Sequence, residues 1–509
     1  MIARKMSFSI FSKFFNQALG FVSLYFVAHY MGPEVMGIIA FGTAFIALFQ
    51  SFADLGFGTA HIKRVSEGKD FGTCNGTYFS VKFVLNILMT LAVLLSVLIP
   101  KYLFHKNFIS KEHEMVLYIL LAANFIGNLS MMLITTFSAR KEVVKSSLAQ
   151  ITGKIVLVGG KVIVAICGFG VIMLAGVSVI SAAVILICYI YFFKGYPIKM
   201  PNKEYFKSYL SFAIPVIFMG FISKYSANLD KIMIQFFWTT RDVGLYAASK
   251  QVSLVLGSIP KSSGALIFPT ISYYYSKGNI EAIRNLSYKT ERYFSMLFFP
   301  IVGFISLFAK QICLILLGPE FSLLAPEIFV ILSVTMLIYA IGQPYSLQIP
   351  ATNHIKLAAV LSVITLGTNI FLNIIFIPKE ILGIKVLGMG AVGAAYATLI
   401  SAVLGSILNR IYAYKITKSK PNLVIFIHLF ASLIMALVLY LISNCFREIL
   451  WYHLPLFALI GGAIYLAILI FMREFNMKEL RYFLDILNPV KLKDYAKREI
   501  QEGYKEIYD

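Results

Sequence analysis

Carboxylates are scarce in this chain: 24 Asp and Glu stand against 45 Lys and Arg in 509 residues, and charged residues make up only 14%. Beside 59% hydrophobic residues and a mean hydropathy of +0.81, that shortage excludes one soluble globule, so the solvent must be a bilayer. Cysteine is also rare. The five (Cys74, Cys167, Cys188, Cys313 and Cys445) are scattered without CxxC or His/Cys spacing, which excludes a disulfide framework and a metal cluster. They read as packing residues. No GxxxxGK[ST] run occurs, so the chain has no nucleotide site of its own. Gly388-Met389-Gly390-Ala391-Val392-Gly393 fits GxGxxG, but no strand precedes it, and close helix packing explains the glycines better. Ser258-Ile259-Pro260-Lys261 fits SxxK without the supporting motifs. With no catalytic constellation, metal set or cofactor motif, the expectation is a protein that is not an enzyme.

Long apolar runs take up the remaining sequence. Fourteen spans are expected, near 8–30, 36–59, 77–99, 115–138, 148–168, 170–193, 209–236 and 243–269, then near 292–317, 323–349, 355–377, 388–413, 423–445 and 453–472. Each is long enough to cross about 30 Å of hydrocarbon at ~1.5 Å per residue. Lys13 interrupts the first span and no small-residue cleavage site precedes Gly20, so a cleaved signal peptide is not expected. The net charge of +21 suggests nucleic acid until its distribution is read. With the N-terminus inside, the external loops hold only Lys101, Lys106, Lys111, Arg241, Lys379, Lys385 and Arg447. The cytoplasmic segments hold most of the others. Positive charge marks the inner side, so both termini are expected in the cytoplasm and nucleic acid is not a partner. The excess also favours anionic headgroups of membrane lipids.

The halves correspond at an offset of 207: Gly32-Pro33-Glu34-Val35-Met36-Gly37 aligns with Thr239-Thr240-Arg241-Asp242-Val243-Gly244. Six spans per half keep the orientation, so the repeats are parallel and a substrate site is expected between them. The fold class is therefore an all-α membrane protein of two six-helix lobes, 1–200 and 201–420, with two extra helices over 421–472. A cytoplasmic tail, 473–509, follows, with a helical pattern of mixed charge.

Several cations lie inside spans. Lys224 and Lys231 are seven apart with Asn228 between them on one helical stripe, and Lys154 and Lys161 repeat that spacing. Lys250 and Lys261 are eleven apart on the eighth span. On the first span Lys13, Asn16, Gln17 and Gly20 share a face, as do Gln50, Asp54 and His61 on the second. The offset maps Gln17 onto Lys224 and Asp54 onto Lys261. Snorkelling to the interface accounts for a lysine near a helix end. Lys224 is about 12 residues, ~18 Å, from the nearer end of its span, too deep for that escape. An ammonium so placed requires a wet cavity or a partner, and such residues mark substrate paths. The set expected to bind an anionic substrate is Lys224, Lys261, Lys161, Lys231, Lys250, Lys154, Asn228 and Gln17. Asp54 and Asp230 are read as charge partners of lysines or as coupling groups. His29 and His61 are read as interfacial. Pro215, Pro260 and Pro300 supply bends for a rocking second lobe.

Gly32-Pro33-Glu34 with Gly37, followed by Phe52-Ala53-Asp54-Leu55-Gly56, resembles the polysaccharide-type flippases of the multidrug/oligosaccharidyl-lipid/polysaccharide exporter superfamily. Later stretches agree: Asn228-Leu229-Asp230-Lys231-Ile232, Leu317-Gly318-Pro319-Glu320-Phe321 and Gly390-Ala391-Val392-Gly393-Ala394-Ala395. One departure is that His29-Tyr30 stands where such proteins often carry Arg. The resemblance implies a flippase, acting as a monomer in the cytoplasmic membrane, that moves polyprenyl-(di)phosphate-linked oligosaccharide by alternating access. It implies no cofactor, a proton or sodium ion as coupling cation, and a groove for the prenyl tail at the last two helices. The alternative is a cation-coupled multidrug exporter of the same superfamily, against which the mostly positive buried charges count.

Overall fold

The computed structural model describes the backbone of residues 2–103, 105, 108–475 and 479, and the side chains of these except 2–14, 143 and 212–227. Helices dominate, and twelve of those described are long and apolar enough to cross a membrane. The described residues divide into two compact units, one up to residue 235 and one from residue 236 onward.

The first unit opens with α1 (Ile2–Phe49), which changes direction at Gly32, where φ is 73° and ψ −179°. Only glycine takes that φ without strain, and Pro33, with its fixed φ and no N–H, suits the first position of the second limb. The chain then breaks over 50–56, with Leu55 at φ 43° and Gly56 at φ 75°, before α2 (Phe57–Ser66). The helix expected to run unbroken through 36–59 is therefore corrected. Gln50, Asp54 and His61 do not lie on one continuous helical face, because two successive left-handed residues cannot extend a right-handed helix.

Four long helices follow: α3 (Phe71–Leu103), α4 (Lys111–Ala139), α5 (Val143–Ile166) and α6 (Val171–Phe193). Ser110 caps α4, accepting from the His113 N–H, and Glu112 and Glu114 complement the dipole in its first turn. One core is built from Ile38 and Ile46 of α1, Met89 and Val93 of α3, Leu117 and Leu121 of α4, and Ala175 of α6. Between α5 and α6 the packing is closer. A Cβ on Gly153 would stand 2.1 Å from Ile185, and one on Gly160 would stand 2.6 Å from Val177. The Ser181 hydroxyl donates to the Gly153 carbonyl at 2.8 Å. This is the small-residue packing by which membrane helices bring backbones together. The connection after α6 is pinned along α3: Lys199 N–H donates to Gly72 O and Asn75 Nδ2 to Pro197 O. It leads into α7 (Lys203–Phe237).

The second unit begins with α8 (Thr240–Ser276), whose start is a capping box between Thr239 and Asp242. Then come α9 (Ile280–Leu317), α10 (Ala325–Ala351) and α11 (Ile355–Phe376). Inside α9 the departure from helical geometry falls at Phe308 rather than at Pro300. There Phe308 stacks on Phe457, ring centroids 5.3 Å apart. Among the twelve described helices able to cross a membrane, α10 is the most interior, 67% buried where the others run from 17% to 44%. A short hairpin, β1 (Glu380–Ile381) with β2 (Ile384–Lys385), precedes α12 (Gly390–Thr417). Finally α13 (Val424–Ser443) and α14 (His453–Phe471) join α9 through Ala431, Met435, Leu439, Phe457 and Leu469.

Candidate functional site

In the first unit, Gly153 and Gly160 seat α5 on α6, and the next residue of each pair is a lysine about 100° round the helix. Lys154 and Lys161 are thereby turned off the α6 contact, and both are half-buried. The Lys154 ammonium lies 3.7 Å from where a Cβ on Gly20 would sit. The small residue on α1 thus leaves room for this cation, one turn along from half-buried Gln17. On α7, Asp230 is buried while Asn228 and Lys231 are half-buried. The Lys224 side chain lies outside the described residues. In the second unit Lys261 is exposed on α8. Lys250 is half-buried, its Nζ 5.1 Å from the Tyr246 ring centre and 3.4 Å from that phenol oxygen.

The break at 50–56 is stabilised by a residue that sequence reasoning did not single out. Lys82 of α3, 2% exposed, donates to Ala53 O at 2.6 Å and to Asp54 Oδ1 at 2.7 Å. The Gly58 N–H also donates to Asp54 Oδ1, at 3.3 Å. Irregular backbone at membrane depth needs such donors, because hydrocarbon supplies none. The Asp54 side chain keeps 39% of its surface open. One visible signal existed, a lysine five residues inside the apolar run 77–99, but position alone did not reveal its partner. An amide ladder continues the polar interior: Gln50 Nε2 donates to Asn128 Oδ1 at 2.6 Å, and Asn128 Nδ2 donates to Asn86 Oδ1 at 2.8 Å.

His61, expected at the interface, is fully buried. Its Nε2 is 3.0 Å from the Thr136 hydroxyl and its Nδ1 is 2.9 Å from the Tyr209 hydroxyl. Thr136 also donates to Met132 O, and the Tyr209 hydroxyl also reaches Cys74 O. Burial pushes the imidazole down to about 3, so His61 stays uncharged at neutral pH. Its ring stacks on Tyr78 at 4.2 Å.

The second unit holds a buried ion pair of its own. Glu291 of α9, fully buried, accepts from the Arg410 guanidinium of α12 and, at 2.5 Å, from the Tyr345 hydroxyl of α10. Arg410 also sits 4.5 Å over the Tyr345 ring. Below it, Gln348 donates to Ser287 and accepts from Thr417. Arg292, the next residue on α9, pairs with Glu474 and Glu479 beyond α14, and His428 Nε2 lies 3.6 Å from Glu474. Among the described residues no group of His, Cys, Asp and Glu is arranged to hold a metal ion.

The family model described as polysaccharide biosynthesis protein matches residues 26–326. The chain is 23% identical over 411 residues to the probable low-salt glycan biosynthesis flippase Agl15 of Haloferax volcanii, covering 81% of this chain and 83% of that one. Among solved structures it resembles the lipid II flippase MurJ in an inward closed conformation. There the TM-score is 0.75 at 19% identity, over 92% of this chain and 99% of that one. It also resembles an inward-facing multidrug resistance MATE family transporter of the MOP superfamily, TM-score 0.64 at 16% identity, over 80% and 96% of the two chains. At these identities the two structural likenesses establish the fold.

Proposed function

We propose that this chain, which belongs to the polysaccharide biosynthesis protein family, is a flippase for polyprenyl-(di)phosphate-linked oligosaccharide. It translocates its substrate by alternating access and performs no covalent chemistry on it. The observation that carries this reading is the similarity, over four-fifths of both chains, to a protein named as a glycan biosynthesis flippase. The cations along the spans supply the chemistry. A diphosphate leaving water needs compensating charge along its path, and Lys154, Lys161, Lys224, Lys231, Lys250 and Lys261 stand on helices otherwise suited to lipid. Lysine offers rotatable donors on a flexible stem, suited to holding phosphate loosely enough to release it.

The finer architecture belongs to the same proposal. Counting α1 as two crossings that meet at Gly32, and α7 as the seventh, gives fourteen. Residues 1–200 and 201–420 form the two repeat-related lobes, a proton or sodium ion drives the cycle, and α13 and α14 serve the prenyl tail. Asp54, held against Lys82 with part of its carboxylate open, is the coupling or charge-partner group of the first lobe, and Asp230 is its counterpart on α7. Gln17 and Asn228 donate neutral hydrogen bonds beside the cations.

Deleting the gene should cause lipid-linked oligosaccharide to accumulate on the cytoplasmic leaflet, and restoring the gene should clear it. An unchanged lipid-linked pool accompanied by altered drug susceptibility would favour the multidrug exporter instead. Both termini are placed in the cytoplasm. Reporter fusions after Lys111 and Lys420 should therefore report opposite sides of the membrane, and the same side for both would refute that topology.

A further inference from the structure

The connection between α11 and α12 carries an apolar tip where the chain's chemistry would ordinarily place a polar one. Its register pairs Glu380 with Lys385 and Ile381 with Ile384, closed by Leu382 and Gly383 at φ 51° and 82°. A two-residue turn with both φ values positive prefers Asn-Gly or Asp-Gly, because a Cβ is strained there. Here the first position is leucine, and it is 98% exposed. Ile384 and Leu387 are 69% and 58% exposed. The hairpin is not loose. Val386 N–H donates to Lys379 O, Gly388 N–H to Pro378 O and Met389 N–H to Phe376 O. At its base Trp238 Nε1 donates to Ile377 O, and the Lys379 ammonium sits 4.8 Å over the indole. A rigid loop thus presents three large apolar side chains in a conformation that costs local strain.

The surroundings indicate the occupant. Alternating helix direction puts the α9–α10 turn and the α13–α14 connection at the same end of the unit as this hairpin. Those segments expose Leu323 (75%), Trp451 (68%) and Tyr452 (52%). Exposed Trp and Tyr side chains at the ends of membrane-spanning helices form the belt that sits at headgroup level. Lys379 and Lys385 flank the tip with the charge that anionic headgroups attract. The hairpin links two apolar helices through only residues 377–389, so its tip stays within about 20 Å of their ends at ~3.4 Å per strand residue. We infer that the Ile381–Ile384 tip is a membrane anchor, inserting Leu382 and Ile384 into the boundary between lipid headgroups and acyl chains beside α11 and α12.

The test uses the full-length chain reconstituted in phosphatidylcholine and phosphatidylglycerol vesicles. Tryptophan is placed at the tip by Leu382→Trp and, in a second variant, by Ile384→Trp. The emission added over wild type, which retains Trp238 and Trp451, should be blue-shifted. Lipids brominated near the headgroup should quench most of it, and aqueous iodide should leave it nearly unchanged. Full iodide quenching without bromolipid quenching would overturn the anchor by placing the tip in water. Resistance to both quenchers would overturn it equally, since that marks a tip covered by protein, such as a second copy of the chain.

Discussion

A chain carrying Lys224→Glu and Lys261→Glu is expected to reach the membrane at near-normal level and to lose flipping by ~10-fold or more, about 1.4 kcal/mol or more in barrier height. The two positions carry ammonium groups on α7 and α8. At an effective dielectric near 20, a charge pair about 4 Å apart is worth ~4 kcal/mol, so reversing its sign removes an attraction and adds a repulsion. Alanine at either position should give a smaller loss, and arginine should retain part of the activity because the sign of the charge is kept. Lys154→Glu and Lys161→Glu on α5 should follow the same order. The measurement is translocation of lipid-linked oligosaccharide per molecule of inserted protein. Equal falls in protein level and activity would mark these lysines as structural, and full flipping by the double Glu variant would remove them from the site.

The apolar runs were legible because a bilayer imposes length and composition on each helix separately. Hydropathy therefore anticipated the twelve described helices that are long and apolar enough to cross a membrane, without tertiary information. The kink at Gly32 was legible for a similar reason: Gly-Pro is a local instruction. The second break was less so. Ala53-Asp54-Leu55-Gly56 was read as a motif within a span, although a glycine after a leucine that must itself turn left-handed ends the helix there. What composition could not supply was pairing. Lys82 finds Asp54 28 residues away, and Glu291 finds Arg410 119 residues away. Sequence spacing carries no information on such contacts, since helix packing alone determines them. The lysine stripe on α5 was visible by periodicity, but the reason for its direction was not. That reason lies in Gly153 and Gly160, whose missing side chains let α6 approach.

Breaking the Glu291–Arg410 pair is expected to have the largest effect on stability, and the effect should be asymmetric. Arg410→Met leaves the carboxylate of Glu291, 0% exposed, with the Tyr345 hydroxyl as its remaining hydrogen-bond donor among the described residues. A stranded buried charge costs about 3–5 kcal/mol. Glu291→Gln should cost less. Its amide still bonds to Tyr345, while Arg410, 24% exposed, keeps the Tyr345 ring beneath it and can reach toward water. Replacing both, with Glu291→Leu and Arg410→Met, removes the two desolvation penalties together and should recover much of the loss, as apolar substitutes for buried pairs do elsewhere. Thermal unfolding in detergent, followed by the fraction of monodisperse protein, tests the order: Arg410→Met lowest, the double variant above it. A double variant as unstable as Arg410→Met would refute the ion-pair account. If stability returns in the double variant but flipping does not, the pair acts in the transport cycle as well as in the fold. Three helices, α9, α10 and α12, then meet at a charge that must be re-paired whenever they move.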